Sequence, residues 1–248
     1  MEHFDFQPSL KKIHNDVVIL VEGVSDIAFL NLYICNRYGF HFVNIYNLEE
    51  IDKRMSGNVY QSNNSSQRLY LFSTDGKDRM QKAFENIKPL IFNQNIGYFI
   101  VIVDSDQDDP NELTDILAFE QLKLLPNQWI PYQSNKGFED VNLQIYLRVI
   151  PEGKCGALET VLLDSMRQDE PDIVNISIQF VDSLNNDQNK YIKSPRLKLK
   201  AKTGVVFNLL APDKTFDSLT KKFKLINLEA DSIQENFSFL DQVFGKGK

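Results

Sequence analysis

Val17-Val18-Ile19-Leu20-Val21-Glu22-Gly23 is an unbroken apolar, mostly β-branched run that stops at an acid and a glycine. A strand with one wet face alternates polar and apolar residues, so a continuous run of this length reads as a strand covered on both faces by helices. Beyond the turn, Ser25 or Asp26 can cap a helix, and Ile27, Leu30, Ile34 and Tyr38 recur on one side of it. The stretch therefore predicts a strand, a tight turn and a helix.

The same grammar repeats downstream. Leu69-Tyr70-Leu71-Phe72 reads as a strand, Asp75-Gly76 as a turn, and Met80, Phe84, Ile87 and Ile91 as a helical stripe. Before this unit, the polar segment from Ser56 to Gln67 is expected to be a loose loop. A third unit begins with Tyr98-Phe99-Ile100-Val101-Ile102-Val103 and ends in Asp104-Ser105-Asp106. An acidic loop from Gln107 to Asn111 and a short helix through Leu113, Ile116 and Leu117 should follow. Repeated alternation of this kind argues for an α/β fold with a largely parallel sheet flanked by helices, whose active groups collect at the carboxyl ends of the strands. Glu22, Asp75, Asp104 and Asp106 would emerge there.

Further along, Leu143, Ile145, Leu147 and Val149 alternate with Asn142, Gln144, Tyr146 and Arg148, the pattern of a half-buried strand of the sort found at a sheet edge, ended by Pro151. The remainder reads as mostly helical. Stripes are formed by Leu158, Val161, Leu162 and Met166, by Val174, Ile178 and Val181, and by Ile233, Phe237, Leu240 and Phe244. The expected organisation is an α/β unit over residues 1–165 and a helical C-terminal region over 166–248 packed on it.

Composition narrows the function. The chain has 248 residues, 42% hydrophobic and 25% charged, values of a globular protein. A formal net charge of −7 excludes a general DNA-coating role, so any nucleic-acid contact must come from local basic patches or bound cations. Cys35 and Cys155 are the only cysteines, too few for a disulfide framework or a cysteine-rich zinc site, and both should be reduced. His3, His14 and His41 share no metal-ligand spacing, and Trp129 reads as core. The opening Met1-Glu2-His3-Phe4-Asp5 is acidic where a signal peptide is basic, and no apolar window is long enough to span a bilayer; no membrane association and a cytoplasmic location are expected. No Gly-x-x-x-x-Gly-Lys-Ser/Thr segment exists, so the chain carries no ATPase phosphate loop of its own.

The strongest chemical signal is an acid at the end of one buried strand and Asp-x-Asp at the end of another. Converging carboxylates repel one another without a cation between them, and hard oxygen ligands suit Mg²⁺ or Mn²⁺. If Glu22, Asp104 and Asp106 meet, a divalent metal is implied.

These residues also carry a family resemblance. Val21-Glu22-Gly23-Val24-Ser25-Asp26-Ile27-Ala28-Phe29 resembles the first motif of Toprim domains, and Ile102-Val103-Asp104-Ser105-Asp106 resembles the second. Asp75-Gly76-Lys77 and the segment from Pro151 to Glu159 are similar to small bacterial stand-alone Toprim-like proteins of uncharacterised function, related to the overcoming-lysogenization-defect (OLD-like) nucleases. The resemblance covers roughly the first two-thirds of the chain and implies a Rossmann-like Toprim fold with divalent-cation chemistry on phosphodiesters. It makes Glu22 a general acid/base or metal ligand, and Asp104 and Asp106 metal ligands. Glu159 would be a fourth ligand, although an acid early in a helix also favours the helix dipole. Asp26 can cap its helix or stand behind a metal ligand. Asp108 repeats the two-residue spacing and can extend the site. Lys77 can touch a phosphate or be an ordinary solvated residue.

The implied activity is Mg²⁺-dependent phosphodiester hydrolysis on DNA or RNA. The alternatives are a non-catalytic cation- or nucleotide-binding module acting through a protein partner, and phosphoryl transfer on a small nucleotide. A topoisomerase would need clamp domains for which there is no room, and a primase of this type would bring zinc-ribbon cysteines. OLD-like nucleases commonly carry an ATPase in the same polypeptide, so control here would come from a separate partner, if at all. Lys190, Lys193, Arg196, Lys198, Lys200 and Lys202, with the later Lys221, Lys222 and Lys224, read as a solvated surface or, in a nuclease, as the substrate-facing one.

Overall fold

The structure, a computed structural model, describes residues 16–45, 55–92, 95–107, 113, 122–136, 139–184, 191–214 and 225–245. Seven strands, β1 (Asp16–Val21), β2 (Phe40–Ile45), β3 (Ser56–Ser62), β4 (Arg68–Ser73), β5 (Ile96–Asp104), β6 (Trp129–Lys136) and β7 (Glu139–Ile150), form one sheet in the order β2-β3-β4-β1-β5-β7-β6. The four central strands β4, β1, β5 and β7 run parallel, while β2, β3 and β6 are antiparallel to their neighbours. The fold is thus α/β with a mixed sheet that is parallel in the middle.

The two faces of β1 explain its unbroken apolar run. Val17, Ile19 and Val21 enter the core shared with α1 (Val24–Tyr38), α3 (Leu158–Asp169), α4 (Pro171–Ser183), α5 (Pro195–Leu210) and α6 (Asp231–Phe237). Val18 and Leu20 face the opposite core, filled by Met80, Phe84, Ile87 and Ile91 of α2 (Met80–Ile91). Strand side chains alternate between faces, so only a strand buried twice is apolar at every position. The helical stripe of α1 is as expected: Ile27, Leu30, Ile34 and Tyr38 are all buried.

Three expectations are corrected. The segment from Ser56 to Gln67 is not a loose loop, because Ser56–Ser62 is β3, paired antiparallel to β4 with Val59 and Tyr60 buried; only the turn beyond Ser62 is irregular. Strand β7 is not an edge strand, since β6 covers it and itself forms the edge. Its polar positions split accordingly: Asn142 and Gln144 are exposed, whereas Tyr146 and Arg148 are buried. Tyr146 stacks on Phe239 at 4.7 Å, and Arg148 Nε donates to the Asn236 carbonyl at 3.0 Å, so the C-terminal segment covers that half of the strand. Finally, Gly23 is the N-cap of α1, not Ser25 or Asp26.

The C-terminal stripe Ile233, Phe237, Leu240 and Phe244 runs through three short pieces, α6, a 3₁₀ turn (Ser238–Leu240) and α7 (Asp241–Phe244), rather than one helix. The unit end expected at residue 165 falls inside α3. Leu113 is buried; Asp108, Asp109, Asn111, Ile116, Leu117, His3, His14, Lys190, Lys221, Lys222 and Lys224 lie outside the described residues. No helix among the described residues is long and apolar enough to cross a membrane.

Candidate functional site

Parallel strands put their carboxyl ends on one rim, and β4, β1, β5 and β7 deliver their ends there side by side. Val21 pairs with Ser73 on one side and with Ile102 on the other, and Asp104 pairs with Ile150. Glu22 follows β1 directly, and its Oε1 accepts the Asp104 backbone N–H at 2.8 Å. A side chain thus extends the ladder between β1 and β5 where the backbone pairing stops. The Glu22 carbonyl accepts the N–H of Gly76 at 3.0 Å and holds the turn after β4, in which Asp75 and Gly76 take positive φ of 61° and 127°. Asp75 is an exposed turn residue, as expected.

Asp104 is buried at the end of β5, and its Oδ1 accepts the N–H of Leu158, the first residue of α3, at 3.0 Å. Asp106 adopts the left-handed conformation at φ 52°, which Asp tolerates better than most residues. Its N–H donates to the Gly156 carbonyl at 2.6 Å, and the Gly156 N–H donates to Ser105 Oγ at 2.9 Å. Gly156 cannot be larger: φ is 148°, and a Cβ would lie 2.4 Å from Thr160 Oγ1 and 3.2 Å from Pro151 Cγ. The Pro151–Glu159 segment is therefore the clamp that fixes Asp104 and Asp106.

The sequence-predicted acids do come together, around a cation the sequence reading left on the surface. Arg196, in the first turn of α5, donates from Nη2 to Asp104 Oδ2 at 2.9 Å and from Nη1 to Asp106 Oδ1 at 3.0 Å, and Nη1 lies 3.5 Å from Glu22 Oε2. Lys77 Nζ pairs with Asp106 Oδ2 at 3.1 Å, so it is not merely solvated. Glu159, in the first turn of α3, lies 4.0 Å from Lys200 Nζ. Asp26 Oδ2 accepts the Gly23 N–H at 2.8 Å. The one signal for Arg196 was its position. Ser194-Pro195 marks a helix start, and a cation in a first turn opposes the helix dipole, so something outside the helix must hold it.

Burial raises the Glu22 and Asp104 carboxyls above their ordinary values, Asp104 well above, with neighbouring carboxylates adding to the push on Asp104 and Arg196 partly offsetting it. Asp26 is pushed up to about 7 by desolvation, with Glu22 and Glu159 contributing. For Arg196, burial works against the charge, but Asp104, Asp106, Glu22 and Glu159 more than reverse it.

Among the described residues no group of three His, Cys, Asp or Glu side chains is arranged to hold a metal ion as it stands; the guanidinium lies where the carboxylate oxygens converge. Cys35 is partly buried and its thiol is raised to about 11 by desolvation, while Cys155 is exposed; both are free. His41 is on exposed β2, with Nδ1 2.7 Å from Asn63 Oδ1, and takes no part in the site.

Compared with known proteins, residues 16–245 match a family described as protein of unknown function (DUF3226). Among solved structures, a hypothetical protein, PH0156 from Pyrococcus horikoshii OT3, aligns with a TM-score of 0.48 at 15% identity, covering 93% of this chain and 100% of that one. No curated protein matches.

Proposed function

The chain belongs to the DUF3226 family, which has no assigned activity, and from the rim of its sheet we propose that the acid cluster is a divalent-cation site for hydrolysis of phosphodiesters, in nucleic acid or in a small nucleotide. One observation carries this reading. Glu22 and Asp104 each spend one carboxylate oxygen on a backbone N–H and turn the other toward a common point, now filled by Arg196. The free oxygens are thus aimed before any ligand arrives, which is how a preorganised cation site is built. The charge fits as well. Among the described residues, five carboxyl groups, Glu22, Asp26, Asp104, Asp106 and Glu159, face three cations, Arg196, Lys77 and Lys200, and their mutual crowding helps to raise Asp26 and Asp104, which a bound cation would relieve.

Glu22, Asp104 and Asp106 would hold Mg²⁺ or Mn²⁺, with Glu159 and Asp26 behind them; when bound, such an ion supplies positive charge at the attacking and leaving oxygens and lowers the pKa of a bound water. Glu22, whose carboxyl burial raises above its ordinary value, would be the group to take a proton from the attacking water. Lys77 and Arg196 bring donors to the Asp106 side, where phosphate oxygens would sit.

A second reading is favoured by Arg196 itself. Acids already satisfied by N–H groups and a guanidinium can be a permanent ion-pair network, and the protein a non-catalytic module acting through a partner. Two measurements separate the readings. The first predicts calorimetric binding of Mn²⁺ and metal-dependent cleavage of plasmid or bis(4-nitrophenyl) phosphate, both lost in Glu22→Gln and Asp104→Asn. No cation binding would leave the module.

A further inference from the structure

Beside the acid cluster lies a cavity of about 630 Å³, bounded by the loop after β5, the start of α3 and the first turns of α5. Asp106, Arg196, Thr160, Cys155, Lys198 and Lys202 are among the residues that line it. In a chain of net charge −7, the twelve described residues lining the cavity include three cations and one anion. Among the described residues, Lys198 and Lys202 share the Asp182 carboxylate, at 3.1 and 2.9 Å, two cations against one anion.

We propose that this cavity binds one phosphorylated molecule of mononucleotide size, its phosphate recruited by Lys198 and Lys202 and turned toward Arg196 and Asp106. The proposal rests on the reading of the acid cluster as a phosphoester site, and it selects a substrate class within it. The volume is that of a small-ligand pocket, about 300–1,000 Å³. Duplex recognition instead uses an interface that buries roughly 600 Å² of protein or more, even for a single module. Lys198 and Lys202 converge on Asp182 and Arg196 on the acid cluster, so these cations of α5 are gathered at the cavity rather than spread as a strip along which a backbone could track. A phosphate at Lys198 and Lys202 would lie in the same cavity as Asp106, the member of the acid cluster that lines it.

The test is calorimetric titration of the full chain with adenosine 5′-monophosphate, adenosine and a twelve-base-pair DNA duplex, all in EDTA. The expected result is binding of one AMP per chain, with adenosine at least about tenfold weaker. The Lys198→Gln/Lys202→Gln double variant should also lose about tenfold in AMP affinity, the size of one charge-assisted hydrogen bond. In the unmodified protein AMP should slow alkylation of Cys155 by iodoacetamide and leave Cys35, on α1, unaffected; this readout needs no variant to fold. The proposal is overturned if AMP does not bind, if the double variant binds it equally with an unchanged melting temperature, if AMP fails to protect Cys155, or if the duplex binds more tightly than AMP. Because EDTA removes divalent ions, these outcomes are independent of the cation reading, whose own failure would show as absent Mn²⁺ binding.

Discussion

Replacing Arg196 by glutamine removes the cation shared by Glu22, Asp104 and Asp106 and leaves three carboxylates facing one another. Breaking a fully buried pair costs about 3–5 kcal/mol, and an exposed pair about 0.2–1 kcal/mol. The two acids from the strand ends are only 3% exposed, but the Arg196 side chain is 37% exposed and water screens its outer edge. The loss should therefore fall between these limits, near 2 kcal/mol. For a chain of this size that lowers the melting temperature by about 4–8 °C. A divalent ion should reverse the loss, because the place of the guanidinium becomes open to it. At a hundredfold excess over its dissociation constant, a ligand specific to the folded state adds about 2.7 kcal/mol. The assay is thermal unfolding of wild type and Arg196→Gln, in EDTA and with excess Mg²⁺. The variant should melt lower in EDTA and gain more from Mg²⁺ than wild type does. An equal deficit in both buffers would refute the idea that cation and guanidinium compete for one place, and an unchanged melting point in EDTA would show that Arg196 does not hold the acids.

Three other outcomes are expected. Gly156→Ala should cost about 2–3 kcal/mol in urea unfolding, from its positive φ and the clash with Thr160, and a loss under about 0.5 kcal/mol would mean that the clamp on Asp106 is soft. Asp26 is held near 7 in the fold against an ordinary 3.8, so the folded state keeps a proton the unfolded chain has lost. Its contribution to stability is full below pH 3.8 and fades as pH rises to about 7; Asp26→Asn should melt above wild type at pH 8 and close to it at pH 4, and a constant difference across that window would exclude the titration. Arg148, 2% exposed, donates to the Asn236 carbonyl at 3.0 Å, to Asn127 Oδ1 at 3.0 Å and to Glu152 Oε2 at 2.6 Å. Arg148→Met should lose about 2–3 kcal/mol in guanidinium unfolding, less than a fully buried pair because Glu152 is half exposed, and expose the segment after Ala230 to protease, whereas unaltered cleavage would show that packing of Phe237 and Leu240 alone holds it.

The middle of the sheet was legible because burial on both faces writes itself into β1 and β5 as uninterrupted apolar runs. The triad was legible for the complementary reason, since a strand end has no structural need of a carboxylate. Strands β2, β3 and β6 were not read, because they lie toward the margins of the sheet. Phe42, Val43 and Ile45 of β2 are exposed, and the Asn, Ser and Gln residues of β3 mimic a loop. Arg196 was missed because its partners are 90 and 92 residues away, beyond any local pattern. The Toprim resemblance rests on local residues, Glu22, Gly23 and the Asp-x-Asp of Asp104 and Asp106.

The hydrogen bond from the Asp104 backbone to Glu22 Oε1 ties the geometry of the acid cluster to strand alignment. Sliding β1 by a single position against β5 would carry Glu22 about 3.3 Å along the sheet and out of reach of the Asp104 N–H. Correct pairing and a complete acid cluster are consequently one event in folding.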